Sequence, residues 1–186
     1  VERAGRELGC WITHTEELGR LPQTPLYWHL YKYKTIKAAE SAKVKHSSVV
    51  ESYGDVWLFT IAATGWRARG GERVARVGPL PVSKGASYTA QYLEATFTPG
   101  MHSRVHRHPG PEAWYVLSGA QCLETPGQRI ILRAKESGVV PEGPPMMLVG
   151  IGNSERRSLA LILHDSSKPM TSPAADWKPA GLCTHN

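Results

Sequence analysis

From Ser47 onward the hydrophobic and polar positions fall into short runs, separated by Gly and Pro. Within several runs they alternate, as in Tyr88, Ala90 and Tyr92 set against Thr89, Gln91 and Leu93. A period of two is that of a strand with two different faces. The pattern predicts strands at Ser48–Tyr53, Asp55–Ala63, Glu72–Val77, Ser87–Thr98, Glu112–Leu117, Ala120–Glu124, Gln128–Arg133, Pro145–Ile151 and Ser158–His164. Turn residues punctuate them at Tyr53–Gly54–Asp55, Arg69–Gly70–Gly71, Pro126–Gly127 and Pro141–Glu142–Gly143. Many short strands at such spacing predict an all-β sandwich or barrel. Upstream the pattern weakens. Residues 1–30 read as irregular, with Pro22, Pro25 and a loose aromatic group at Trp11, Tyr27, Trp28 and Tyr31; Thr35–Val44 is the one helix candidate. The expected organisation is an N-terminal extension over 1–46, a β-barrel over 47–165 and an extended C-terminal strap over 166–186.

The chain has 186 residues, 41% of them hydrophobic and 20% charged, enough to bury a core. No run approaches the ~20 apolar residues of a membrane helix, so no membrane partner is expected. The net charge of +6 is spread along the chain rather than gathered in a stripe. Only Lys32, Lys34, Lys37, Lys43 and Lys45 cluster, and they read as a solvated face rather than a nucleic-acid footprint. The three cysteines form no CxxC pair, which argues against a thiolate zinc site. Cys10 and Cys183 lie near the two ends, and domain termini often meet, so a Cys10–Cys183 disulfide is expected, with Cys122 a buried strand residue. A disulfide, and a chain opening on Val rather than Met, predict a secreted or periplasmic location, with a cytoplasmic one as the alternative.

Chemistry concentrates in Gly100–Gly119. His106 and His108 are two residues apart, so both imidazoles leave an extended strand on one face. The Pro109–Gly110–Pro111 turn then returns the chain so that Glu112 can meet them. Two neutral nitrogens and a carboxylate oxygen suit a divalent metal of intermediate hardness: iron, manganese, nickel, copper or zinc.

The spacing G-x5-H-x-H-x3-E-x6-G, filled by Gly100, His106, His108, Glu112 and Gly119, resembles the first motif of the cupins. The resemblance covers about residues 85–165 and implies a double-stranded β-helix closing on a metal cavity. The second cupin motif, G-x5-P-x-G-x2-H-x3-N, is matched only at Pro141 and Gly143; Lys135, Met146 and Gly150 replace its glycine, histidine and asparagine. Three readings stay open. His106, His108 and Glu112 form a three-ligand site resembling that of non-haem iron oxygenases; or Met146 joins as a soft fourth ligand; or the metal is lost and Met146, Met147 and Leu148 line a binding pocket.

Around the trio, Arg104 is expected at the cavity rim, where it would orient an anionic group, and Trp114 shares the inward parity of Glu112. Tyr92 and Glu94 share a face of the strand feeding the site, and His164 is a candidate for the missing nitrogen. His14, His29, His46 and His185 have no metal spacing and read as surface or packing residues. No GxSxG, Walker or HExxH motif is present. The expectation is a cupin holding one divalent metal, dimeric, oxidising a small organic molecule in a dioxygenase-type reaction with Glu112 as ligand or general base. Its alternatives are a non-catalytic module for a sugar or aromatic acid and a metal-dependent isomerase or lyase.

Overall fold

The computed structural model describes residues 8–183. In chain order its elements are β1 (Gly9–Arg20), β2 (Leu26–Tyr33), α1 (Ile36–Glu40), β3 (Ser47–Ser52), β4 (Asp55–Ala63), β5 (Glu72–Leu80) and β6 (Ser87–Phe97). There follow β7 (His106–Arg107), β8 (Glu112–Ser118), β9 (Ala120–Thr125), β10 (Gln128–Arg133), β11 (Ser137–Val140), β12 (Met147–Ile151), β13 (Arg156–Asp165) and β14 (Ser172–Pro173). The segment expected to be irregular thus carries two strands. β2 reads Leu-Tyr-Trp-His-Leu-Tyr, nearly apolar on both faces, because both faces are covered and no alternation is required of it. The helix is shorter than expected, a single turn capped by Thr35, whose Oγ1 accepts from the Ala38 N–H at 3.2 Å.

The organising element is a five-stranded antiparallel sheet in the order β1-β6-β13-β8-β11. One face packs on a four-stranded sheet, β3-β4-β2-β5, and the other on a three-stranded sheet, β10-β9-β12. Strand parity assigns the faces. Tyr88, Ala90 and Tyr92 of β6 and Leu159, Leu161 and Leu163 of β13 point toward the four-stranded sheet, into a core with Trp28, Trp57 and Phe59. Leu93 and Phe97 of β6, Trp114 and Val116 of β8, and Ala160 and Ile162 of β13 point the other way. There they meet Leu123, Leu132 and Leu148 and form the interior of a β-barrel. The run Leu159–Leu163 is apolar throughout because the sheet is buried on both sides.

At one end of the barrel interior Arg156 is fully buried, with no carboxylate of the described residues bonded to it. Its Nε donates to Gln121 Oε1 at 2.8 Å, its other nitrogens reach Gln121 Oε1 and the Ala95 carbonyl, and its guanidinium lies 5.0 Å from the Phe97 ring centre. Burial pulls its pKa down to about 10.

The expected Cys10–Cys183 disulfide is not formed. Cys183 bonds Cys122, whose side chain leaves the outer face of β9 toward Val149 and the end of the strap. Cys10 is a free thiol on β1, opposite Ala95, and belongs to the five-stranded sheet. The pairing follows which face of which sheet lies under the end of the strap, not a cysteine's distance from a terminus.

Candidate metal centre

The Gly110 turn sets the site. A Cβ at Gly110 would overlap the Leu163 carbonyl oxygen and stand 2.9 Å from the His164 Cα, so only glycine lets this turn lie against β13. β8 begins immediately afterwards, with Glu112 paired to Ile162. The short strand β7 holds His106, whose main chain pairs with Met146 in both directions, His106 N–H to Met146 O at 3.1 Å and Met146 N–H to His106 O at 2.8 Å.

His106, His108 and Glu112 come together as the spacing predicts, with one donor atom of each within 4.8 Å of the others. The two imidazoles meet edge to face, their centres 4.8 Å apart. His106 is half-buried, whereas His108 and Glu112 are buried. His106 Nδ1 lies 2.7 Å from the Arg104 carbonyl, and His108 Nδ1 lies 2.7 Å from the Met170 carbonyl. A carbonyl can only accept, so each Nδ1 carries the proton and each Nε2 keeps its lone pair for a cation. His108 Nε2 and Glu112 Oε2 stand 3.1 Å apart without the alignment of a hydrogen bond, two buried polar atoms left over. A cation between such atoms would satisfy both, and the residues present fit one. Burial alone would lower the His108 pKa; the Glu112 carboxylate and the Met170 carbonyl outweigh it and hold the imidazole above its ordinary value.

The trio opens on a cavity of about 430 Å³ with largely apolar walls. Leu93, Trp114, Ala160 and Ile162 line it from the barrel, and Arg104 stands exposed at its mouth, as expected. Three expected wall residues lie elsewhere. Tyr92 is on the opposite face of β6, packed between Phe59 and Trp28, because its parity differs from that of Leu93. Met146 and Leu148 are buried in the barrel core and take no part in the wall. Glu94, on the same face as Tyr92, accepts the Tyr53 N–H at 2.8 Å. His164 is buried, donates from Nδ1 to the Asp165 carbonyl at 2.9 Å and stays outside the trio. His29 is a packing residue edge-on to Trp66, and His185 lies outside the described residues.

Two contributors escape sequence reasoning. Cys10 and Ile12 of β1 line the cavity, facing the same way as Ala95 and Leu93, their partners on β6. Cys10 is exposed at the sheet edge, yet its thiol lies among the cavity walls, and burial, followed by the nearby Glu112, pushes its pKa up to about 11. The second contributor is the strap, where Met170, Thr171, Ser172 and Pro173 close one side of the cavity. A signal for it was present: Pro169 and Pro173 mark an extended segment.

A two-sheet antiparallel barrel carries the complete G-x5-H-x-H-x3-E-x6-G motif at one mouth, with the Pro141–Gly143 turn beside it. The architecture is cupin-like. No family model matches the sequence, and no curated protein is significantly similar to it. Solved structures similar to this cupin-like chain include an oxalate oxidase in complex with the substrate analogue glycolate (22% identity, TM-score 0.39, 45% of each chain). Two others are a cupin superfamily protein from Desulfitobacterium hafniense (19%, TM-score 0.38, 46% of this chain and 74% of that one) and a protein with a double-stranded β-helix domain from Klebsiella pneumoniae (18%, TM-score 0.41, 51% and 90%). The chain spans under half the length of the oxalate oxidase it resembles. The four-stranded sheet packs on the face of the five-stranded sheet that looks away from the barrel.

Proposed function

We propose that the protein is a metal-dependent cupin enzyme that holds one divalent cation through His106, His108 and Glu112 and oxidises a small organic molecule. The observation that carries this reading is the convergence of the three donors within 4.8 Å, two of them buried, at an apolar cavity. When bound, the cation supplies Lewis acidity and, if it is iron, one-electron chemistry toward O₂. The chain's own residues do the rest. His106 and His108 present Nε2 because the Arg104 and Met170 carbonyls hold their Nδ1 protons. Leu93, Trp114 and Ile162 keep water from the reacting group, and Arg104 at the mouth pairs with an anionic substituent. A Glu112 oxygen not engaged by the cation is placed to take a proton from a bound substrate.

The Cys122–Cys183 disulfide supports an exported location. No described helix is long and apolar enough to cross a membrane. Two lysines of the basic cluster, Lys32 and Lys43, pair with Asp55 and Glu40, which supports a solvated face rather than a nucleic-acid surface. Exposed Leu8, Trp11 and Ile12, each more than 40% accessible, support a homodimer; light scattering behind a sizing column tests it.

One observation favours a second reading. Met146, at the histidine position of the second motif, fills the barrel core and offers no fourth nitrogen. A cavity of this kind holding a sugar or aromatic acid without turnover is the alternative. Elemental analysis of protein purified without chelator or nickel resin, beside His106→Ala, separates the two. About one equivalent of metal, lost in the variant, supports the enzyme. Protein that stays empty after incubation with each metal supports the binding module.

A further inference from the structure

The C-terminal strap is anchored at both ends and touches the trio in between. At its near end β14 pairs with β7, Ser172 with Arg107 and Pro173 with His106. Asp176 takes a two-pronged ion pair from Arg107, at 2.8 and 2.7 Å, and the Met170 carbonyl takes the His108 Nδ1 proton. At its far end the Ala180 and Gly181 N–H groups donate to Glu124 Oε1, the Leu182 carbonyl accepts from Arg129, and Cys183 is bonded to Cys122. Both Cys122 and Glu124 lie on β9, across the barrel from the sheet that carries Glu112. Between residues 166 and 183 only Ala174 and Cys183 are buried, so apolar burial does little to keep the strap down. The Arg107–Asp176 ion pair and the Arg129 bond to Leu182 are exposed and weak fastenings, whereas the bonds from Ala180 and Gly181 end on the buried Glu124 carboxylate. The disulfide is the covalent one.

We propose that the strap is a working part of the metal centre and that the Cys122–Cys183 bond is its latch. With the bond closed, Met170 is held where its carbonyl fixes His108 with Nε2 toward the cation. With the bond open, the strap lifts from β7, His108 loses that partner, and the cavity loses the wall formed by Met170–Pro173. Met170 is then a positioning residue acting through its main chain, and metal affinity becomes sensitive to thiol reductants. This inference rests on the reading of His106, His108 and Glu112 as a cation site.

The test uses the full chain and Co²⁺ alone, followed by its visible absorption and by calorimetry. One sample is oxidised. A second is reduced with a water-soluble phosphine, which takes oxygen from water while the S–S bond accepts two electrons and two protons to give two thiols; the reagent is removed under argon. A third is Cys183→Ser, its fold checked by circular dichroism. Limited chymotrypsin digestion, reading cleavage of the Trp177–Lys178 bond, reports strap release independently of metal. The expected result is Co²⁺ binding about 10- to 100-fold weaker in the reduced and variant proteins, with faster cleavage after Trp177. Equal Co²⁺ affinity in all three samples, with the strap cleaved faster, overturns the latch and leaves the cation site standing. Strap cleavage unchanged by reduction also overturns it. If oxidised protein binds no Co²⁺, the cation site itself falls and the latch with it. If Cys183→Ser misfolds, the reduced wild-type protein decides alone.

Discussion

The two faces of the five-stranded sheet use the same strands and reach opposite ends. Toward the four-stranded sheet, β6 and β13 present Tyr88, Tyr92 and three leucines, which meet Trp28, Trp57 and Phe59 with ring centres 4.9 to 6.2 Å apart among the aromatics. That side is filled. Toward the barrel the same two strands present Ala95 and Ala160 beside Leu93 and Ile162, and the missing volume is the cavity. A site is made here by withholding side chains at two positions as much as by supplying three ligands. Buried histidines tell the same story in charge. His29, in the four-stranded sheet, has a carbonyl at 3.0 Å and Arg73 and Arg76 nearby, and burial lowers its pKa. His108 has Glu112 and is shifted upward. One environment is built to keep a proton off, the other to hold positive charge.

The largest expected effect is on the filled face. Trp28→Ala should cost about 3–5 kcal/mol in urea unfolding, because a well-packed aromatic core collapses poorly around a lost indole. A loss below about 1 kcal/mol would show that this face is not a core.

Gln121→Leu comes next, at about 3 kcal/mol, since it strips Arg156 of its side-chain acceptor and leaves a buried charge. Adding Arg156→Met should restore most of the loss. A double variant no more stable than the single would refute the role given to Gln121.

Ala160→Phe, placed in the cavity, should cost only about 1–2 kcal/mol, as there is room for the ring. It should also abolish uptake of small apolar probes in ligand-observed NMR. Unchanged probe binding would mean that the cavity is not where small molecules enter.

A smaller effect separates the faces by pH. Because His29 has a lowered pKa when folded, the unfolded chain binds its proton more readily. The stability it contributes is present above the ordinary histidine value of about 6.5 and is lost as pH falls through and below it. His108, shifted upward, works the other way in the same window, so the readout is a difference: the thermal midpoint of wild-type protein should fall more steeply than that of His29→Gln between about pH 7.5 and about pH 5.5. His46, also lowered by burial, adds the same contribution to both proteins. Smallest of all, His106→Ala should change the stability of metal-free protein by under about 0.5 kcal/mol, as expected for a half-exposed side chain, while eliminating metal uptake.

What the sequence revealed and what it hid divide along physical lines. The trio was legible because its geometry is local: a strand places His106 and His108 on one face, and a three-residue turn brings back Glu112. Trp114 followed from parity alone. Tyr92 was misplaced because alternation shows that a strand has two faces without telling which face meets the cavity, and here both are buried. β1 escaped notice because it is an edge strand whose residues Cys10 to Ile12 are exposed, so no clean alternation marks it. The disulfide was misassigned for a related reason. Three cysteines allow three pairings, and the choice depends on Cys122 facing outward from β9, which is a property of the sheet packing.

The position of β13 has a consequence in time. It is the middle strand of the five-stranded sheet, between β6 and β8, yet it is made after both, and after every strand of the other two layers. Until residues 156–165 leave the ribosome, β6 and β8 each carry an open edge, and the two cores lack the leucines, alanine and isoleucine that β13 brings to them. Folding is then decided late, by one strand sliding into a prepared slot and closing both layers together. Until β13 emerges, the nascent chain carries sticky edges that need protection.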